Sequence, residues 1–312
     1  MGLLDFLTGS LRRPEGIVLA LGGGGARGLA HVGVLEVIEE AGIPLAGIAG
    51  TSAGAVVAAM RLTMGGTAPV VERWRRFLEA RIAPALPDIR LTETVSSRDN
   101  PIFQFARRIR NGAVVALALE RTSLVSHEQL EGALAFLLPD VPIESLPLPF
   151  AAVATDFDTG DPVALRRGPL LVALAASCAI PAVVTPYTIG IRNLIDGGTV
   201  ADVPVAQARL LAKRPVVAVE VGEGWPADGP ATITLPRAML RGANMTHRAL
   251  RERLLRDADL VVSPDVRGAH WSEFGRFEEL RAAGRAAAER AVHRMRALAL
   301  RSSRKAGGSE EA

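Results

Sequence analysis

Two stretches, Ile17-Val-Leu-Ala-Leu-Gly-Gly-Gly-Gly-Ala-Arg-Gly28 and Leu45-Ala-Gly-Ile-Ala-Gly-Thr-Ser-Ala-Gly54, decide the fold. Each begins with an apolar run short enough for a buried strand and ends in a glycine-bearing turn. After the first turn a helix is expected from about Arg27 to Ala41. Glu36, Glu39 and Glu40 lie on one narrow stripe of it, and Val32, Val34, Leu35, Val37 and Ile38 cover the rest, so the helix should be mostly buried. Gly42 and Pro44 stop it. The second turn leads into a small-residue helix from Ala53 to Met64. Strand, turn and helix, twice over, predict an α/β chain with a parallel sheet and right-handed crossovers.

Working outward, residues 65 to 145 read as mostly helical with loops, including Pro84 to Asp88 and Thr92 to Pro101. A stretch of that kind between core strands is expected to supply a lid or a substrate wall. Further strands are expected at Phe150 to Thr155, Pro162 to Leu165, Val216 to Val221 and Leu260 to Ser263, with a last helix from about Phe274 to Leu300. One domain over residues 16–300 is the expectation. A leader over 1–15 precedes it, and a polar tail over 301–312, expected to be disordered, follows. The leader has no basic region ahead of its apolar residues and so does not read as a secretory signal. It reads as a frayed end or as a short amphipathic anchor resting on a bilayer.

The composition, 49% hydrophobic and 22% charged, is that of a soluble globular protein. Aromatics are only 4%, which argues against a nucleic-acid binder built on base stacking. The single cysteine, Cys178, cannot form an internal disulfide and lies in an apolar run, where a buried inert thiol is expected. There is no Cys/His spacing for a metal. Nearly all the positive charge is arginine, clustered at Arg73, Arg75, Arg76, at Arg107, Arg108, Arg110 and at Arg248, Arg251, Arg253, Arg256. Such clusters suit lipid phosphates or an anionic surface; solvated helix faces are the plainer alternative.

Three segments could carry chemistry. Gly50-Thr51-Ser52-Ala53-Gly54 matches a nucleophile elbow, in which a tight strand-to-helix turn lifts the serine to a helix N-terminus. Gly23-Gly24-Gly25-Ala26-Arg27-Gly28 can gather bare amides around one oxygen as an oxyanion hole, or cradle a phosphate. A dinucleotide fingerprint has the same spacing but wants an acid at the end of the next strand, where the Ser52 turn stands instead. Asp196-Gly197-Gly198 follows the apolar Leu194-Ile195; alone it is a turn, but Ser52 needs a base. A Ser-Asp-His triad would draw on His247, in a stretch that reads as an exposed helix, or on His270, in a loop. His31, one turn past the glycines, suits packing better than catalysis. No histidine has a compelling setting, and a serine–aspartate dyad is preferred.

Taken together, these residues resemble the patatin-like phospholipase family, which combines a glycine loop ending near an Arg, a Gly-x-Ser-x-Gly elbow and a distant Asp-Gly-Gly. All three occur here in that order, at 23–28, 50–54 and 196–198. Ala176-Ser-Cys-Ala-Ile-Pro181 and Thr155-Asp-Phe-Asp-Thr-Gly160 are similar too. Asp257 to Asp265 resembles the bacterial branch related to neuropathy target esterase. The resemblance implies a three-layer α/β/α sandwich around a mainly parallel sheet and a Ser52–Asp196 dyad. It implies an oxyanion hole at Gly23 to Gly25 and cleavage of phospholipid or lysophospholipid acyl esters without metal or cofactor. A cytoplasmic protein, peripheral at a membrane where the leader serves as an anchor, is the expectation.

Overall fold

The computed structural model describes residues 16–80, 124–222 and 235–307. The leader, Pro84 to Asp88, Thr92 to Pro101 and the Arg107–Arg110 cluster lie outside them. In chain order the elements are β1 (Ile17–Leu21), a 3₁₀ turn (Gly25–Leu29), α1 (Ala30–Glu40), β2 (Leu45–Thr51), α2 (Ala53–Met64) and α3 (Thr67–Glu79). There follow α4 (His127–Leu137), β3 (Phe150–Asp156), β4 (Pro162–Leu165), α5 (Leu170–Ser177), β5 (Tyr187–Ile189) and β6 (Arg192–Asp196). The chain continues with α6 (Val205–Arg209), β7 (Val216–Val219), α7 (Leu235–Leu255), β8 (Leu260–Val262) and α8 (Phe277–Gly307).

Among the described residues the strands form one open sheet in the order β5-β6-β3-β2-β1-β7-β8, with β4 also on β3. β3, β2, β1, β7 and β8 run parallel; β4, β5 and β6 are antiparallel additions. Helices cover both faces, as the α/β reading expects. β1 shows why its five residues are all apolar: Ile17, Leu19 and Leu21 enter the larger core, Val18 and Ala20 the smaller core on the other face.

α1 is buried as its sequence requires, and its acidic stripe faces protein rather than water. Glu36 accepts from Arg281 at 2.9 Å and lies 3.5 Å from Arg285, both on α8. Glu40 pairs with Arg285 at 2.7 Å. The two helices cross closely because both are glycine at the crossing. A Cβ on Gly33 would strike the Arg281 carbonyl, and one on Gly284 the Ala30 carbonyl. α8 does not stop near Leu300 but continues to Gly307.

Arginines of the two clusters among the described residues are engaged within the protein. Arg73 donates to the Phe136 carbonyl at 2.7 Å, Arg75 pairs with Glu278 and Arg76 with Glu72. On α7, Arg248 pairs with Glu252, and Arg251 reaches Glu220 and Asp202. These pairings favour the plainer reading over a free phosphate-binding face. No described helix is long and apolar enough to cross a membrane.

Candidate active site

The glycine loop and the Ser52 turn both lie at the carboxyl ends of neighbouring parallel strands, where open α/β sheets hold their ligands. β2 ends on Thr51, and Ser52 then takes φ 51° and ψ −123° before α2 begins. That backbone is strained for a residue with a side chain. It is held by its surroundings. The Thr51 hydroxyl donates to the Ala201 carbonyl at 2.7 Å, and the Ser52 carbonyl accepts from Val56 in the first turn of α2. The turn is tight enough that a Cβ on Gly54 would run into the Leu21 carbonyl, so this position must be glycine.

Asp196 arrives from β6. β3 carries three partners: β2 along Phe150–Val153, β6 along Ala154–Asp156 and β4 along Ala152–Thr155. A strand has two edges, and β4 overlaps both of the others, so β2 and β6 share one edge and meet there end to end. Thr51 faces Val153 and Asp196 faces the next residue, Ala154. The Ser52 hydroxyl thereby comes close enough to the Asp196 carboxylate to favour its charged form. Both side chains are nearly withdrawn from solvent, at 7% and 6% exposure.

Burial pushes the Asp196 carboxyl up to about 6; hydrogen bonds from Ser52 and from the Gly198 amide (2.7 Å) work against this. The Asp202 charge pushes it up further, and His247 pulls it down. Asp202 is itself raised by burial against the pull of His247, Arg251 and Arg27. His247 is not on an exposed face as its arginine-rich stretch suggests. It is half-buried, and its Nε2 donates to the Gly198 carbonyl at 2.7 Å. α7 therefore brings His247 and Arg251 against the Asp196-Gly-Gly turn. Sequence reasoning missed both roles, because α7 folds back on that turn only in three dimensions; the acid-and-base spacing of the helix carries no signal of it.

The glycine loop lies against Ser52: a Cβ on Gly23 would stand 3.7 Å from that of Ser52. Its amides are not equivalent. Gly23 donates to the Asp202 carbonyl at 2.9 Å and Ala26 to the Trp271 carbonyl at 2.7 Å. Among the described residues, the amides of Gly24 and Gly25 have no backbone acceptor. Gly28 packs on Ala53, and Arg27 is half-buried with its charge bearing on Asp202. His31 is fully buried with its Nε2 on the Gly22 carbonyl at 2.8 Å, and burial lowers it to about 4. It is a neutral support of the loop. His270 bonds Ser272 within its own loop. Among the described residues no histidine hydrogen-bonds Ser52 or Asp196.

Ser52 opens onto an apolar cavity of about 140 Å³. Part of its wall comes from α3 and α4, in the stretch expected to supply a lid or wall, with Trp74, Phe77, Ala133 and Leu134; the rest comes from α2 and from the segment Cys178 to Val184 among others. Cys178 also lines it, and desolvation there together with the Asp196 charge pushes its thiol far up, which fits an inert cysteine. Among the described residues no group of His, Cys, Asp or Glu could hold a metal ion.

A family model described as patatin-like phospholipase matches residues 19–209. An uncharacterized NTE family protein of Mycobacterium tuberculosis is 34% identical over 61% of this chain and 44% of its own length. A second from the same organism is 29% identical over 90% of this chain and 46% of its own. Patatin-like phospholipase domain-containing protein 6 of Mus musculus is 27% identical over 66% of this chain and 13% of its own. The chain thus spans less than half the length of these relatives. Among solved structures, VipD from Legionella pneumophila is 15% identical with a TM-score of 0.48, over 92% of this chain and 67% of that one.

Proposed function

The chain belongs to the patatin-like phospholipase family, and on that premise we propose that it is a serine acyl hydrolase of phospholipid or lysophospholipid esters. Ser52 is its nucleophile and Asp196 its base. One observation carries this reading. The Ser52 hydroxyl, on a strained turn at the mouth of an apolar cavity, stands beside a buried carboxylate raised to about 6. A base of that strength is ionised at neutral pH yet stronger than an ordinary aspartate.

In this mechanism Asp196 takes the Ser52 proton as Oγ attacks the ester carbonyl. The oxyanion accepts hydrogen bonds from the Gly24 and Gly25 amides, the two in the loop without a backbone acceptor. The N-terminus of α2, directly beneath Ser52, adds its positive end. As the intermediate collapses, Asp196 returns the proton to the departing alcohol oxygen. Water then enters, Asp196 takes its proton, and the second collapse releases the fatty acid with Ser52 restored. The acyl chain lies in the apolar cavity, partly walled by α3 and α4.

The test is a fluorophosphonate probe followed by peptide mass analysis. A covalent adduct on Ser52, absent from Ser52→Ala, is expected, with fatty-acid release from phosphatidylcholine or lysophosphatidylcholine micelles by the same protein. Folded protein that takes no adduct would overturn the reading. A triad is tested by His270→Ala and His247→Ala. The dyad predicts that His270→Ala keeps nearly full turnover and that His247→Ala, which loses a support of Gly198 and a charge that bears on Asp196, keeps turnover above background.

A further inference from the structure

The Ser52 amide meets the sheet through a side chain rather than directly. In the parallel pairing of β2 with β3, alternate β2 amides donate to β3. Ile48 donates to the Pro149 carbonyl at 3.0 Å, so the phase assigns Gly50 to Ala151 and Ser52 to Val153. The last of these bonds is not made directly. The Ser52 amide donates to Ser177 Oγ at 2.9 Å, and that same hydroxyl donates to the Val153 carbonyl at 2.6 Å. A side-chain hydroxyl is spliced into the ladder between the Ser52 amide and the Val153 carbonyl.

Ser177 is fully buried at the C-terminal end of α5. Two residues on, the Ala179 carbonyl accepts the Asp196 amide at 2.9 Å. Between them, Cys178 lines the same cavity as Ser52. One turn of chain thus grips the backbone amides of both Ser52 and Asp196, which come from different strands.

Building on the reading of Ser52 as nucleophile, we infer that Ser177 is a positioning residue: its hydroxyl, inserted between the Ser52 amide and the Val153 carbonyl, sets the nucleophile's distance from Asp196. It also occupies the Ser52 amide and so leaves oxyanion binding to the glycine loop. Without the hydroxyl, the direct Ser52-to-Val153 bond can close and draw Ser52 back toward the sheet. Ser177 touches no substrate, so its loss should fall on the chemical step rather than on binding.

The experiment compares fluorophosphonate labelling rates at Ser52, and kcat and KM for a short-chain ester, in wild type, Ser177→Ala and Ser177→Thr. Ser177→Ala should label and turn over about 100-fold more slowly, the scale of a displaced reacting group, with KM within about twofold of wild type. Ser177→Thr, which keeps the hydroxyl, should recover most of the rate. A Ser177→Ala loss below about threefold, or equal losses in folded Ser177→Ala and Ser177→Thr, would overturn the inference. Should Ser177→Ala not fold, Ser177→Cys fills the same space with a much weaker hydrogen-bonding group and must show the same slow labelling. Wild type that takes no label defeats the nucleophile reading itself, an outcome distinct from any difference between variants.

Discussion

Thr51 and Asp196 stand at consecutive positions along one edge of β3, opposite Val153 and Ala154. β2 stops where β6, running the other way, also stops, and the candidate site lies between the strand ends. The closeness of Ser52 to Asp196 is a consequence of register. Its geometry is held by the ladder of the whole sheet rather than by a flexible loop, which gives the site the rigidity a pre-organised reaction centre needs.

Replacing the Asp196 carboxylate with its neutral isostere tests the base. Asp196→Asn should lower kcat by about 10²- to 10⁴-fold, the range for losing a positioned general base. Ester hydrolysis followed by colorimetric assay checks it, with circular dichroism to show that the fold is retained.

The rate should depend on pH in one direction at its acid side. Asp196 acts only when ionised, so with its carboxyl raised to about 6, activity should fall tenfold per pH unit below 6 and level off above it. Asp202 adds to that upward push, so Asp202→Asn should move the acid limb to lower pH. A limb unmoved in Asp202→Asn, or centred near 4 in wild type, would count against the electrostatics described.

The same shift has a cost in stability. A carboxyl raised on folding binds its proton more tightly in the native state, so its destabilising effect is absent below the ordinary value near 3.8 and complete above about 6. The shift of roughly two pH units corresponds to about 3 kcal/mol. Asp196→Asn should therefore gain stability relative to wild type between pH 4 and pH 7, by up to that amount, in urea unfolding at the two pH values.

Gly54→Ala should be among the more damaging single-methyl changes in the chain. The added carbon meets the Leu21 carbonyl, part of rigid β1, and relief requires moving the elbow. A loss of about 2–4 kcal/mol is expected from chemical denaturation, together with loss of Ser52 labelling in whatever fraction folds.

Filling the cavity should separate long from short substrates. Ala133 is 7% exposed and lines the apolar wall that faces Ser52. Ala133→Phe should lower kcat/KM for a long-chain ester about tenfold or more relative to an acetyl ester, since each excluded methylene forfeits on the order of 1 kcal/mol of binding. Equal losses on both esters would mean that the acyl chain does not lie there.

Local patterns were enough for the framework. The five-residue apolar β1, the glycine turn, the buried α1 and the Gly50–Gly54 elbow are written in residues adjacent in the chain, and their burial and backbone demands are local. The resemblance to a known family rested on such motifs and is matched by the family model over residues 19–209. α8 outran its expected end because a polar Arg301-Ser-Ser-Arg-Lys stretch carries no stop signal of the Gly-Pro kind that ends α1.

What the tertiary structure alone decided are the relationships across the chain. That Gly23 spends its amide on Asp202 while Gly24 and Gly25 do not, that Ser177 enters the β2–β3 ladder, and that His247 supports Gly198 all depend on which segments the sheet register and helix packing bring within a hydrogen bond's length. Periodicity encodes which face of an element is apolar. It holds no record of the register between elements, and a hydrogen bond, effective over about 3 Å, is decided by register.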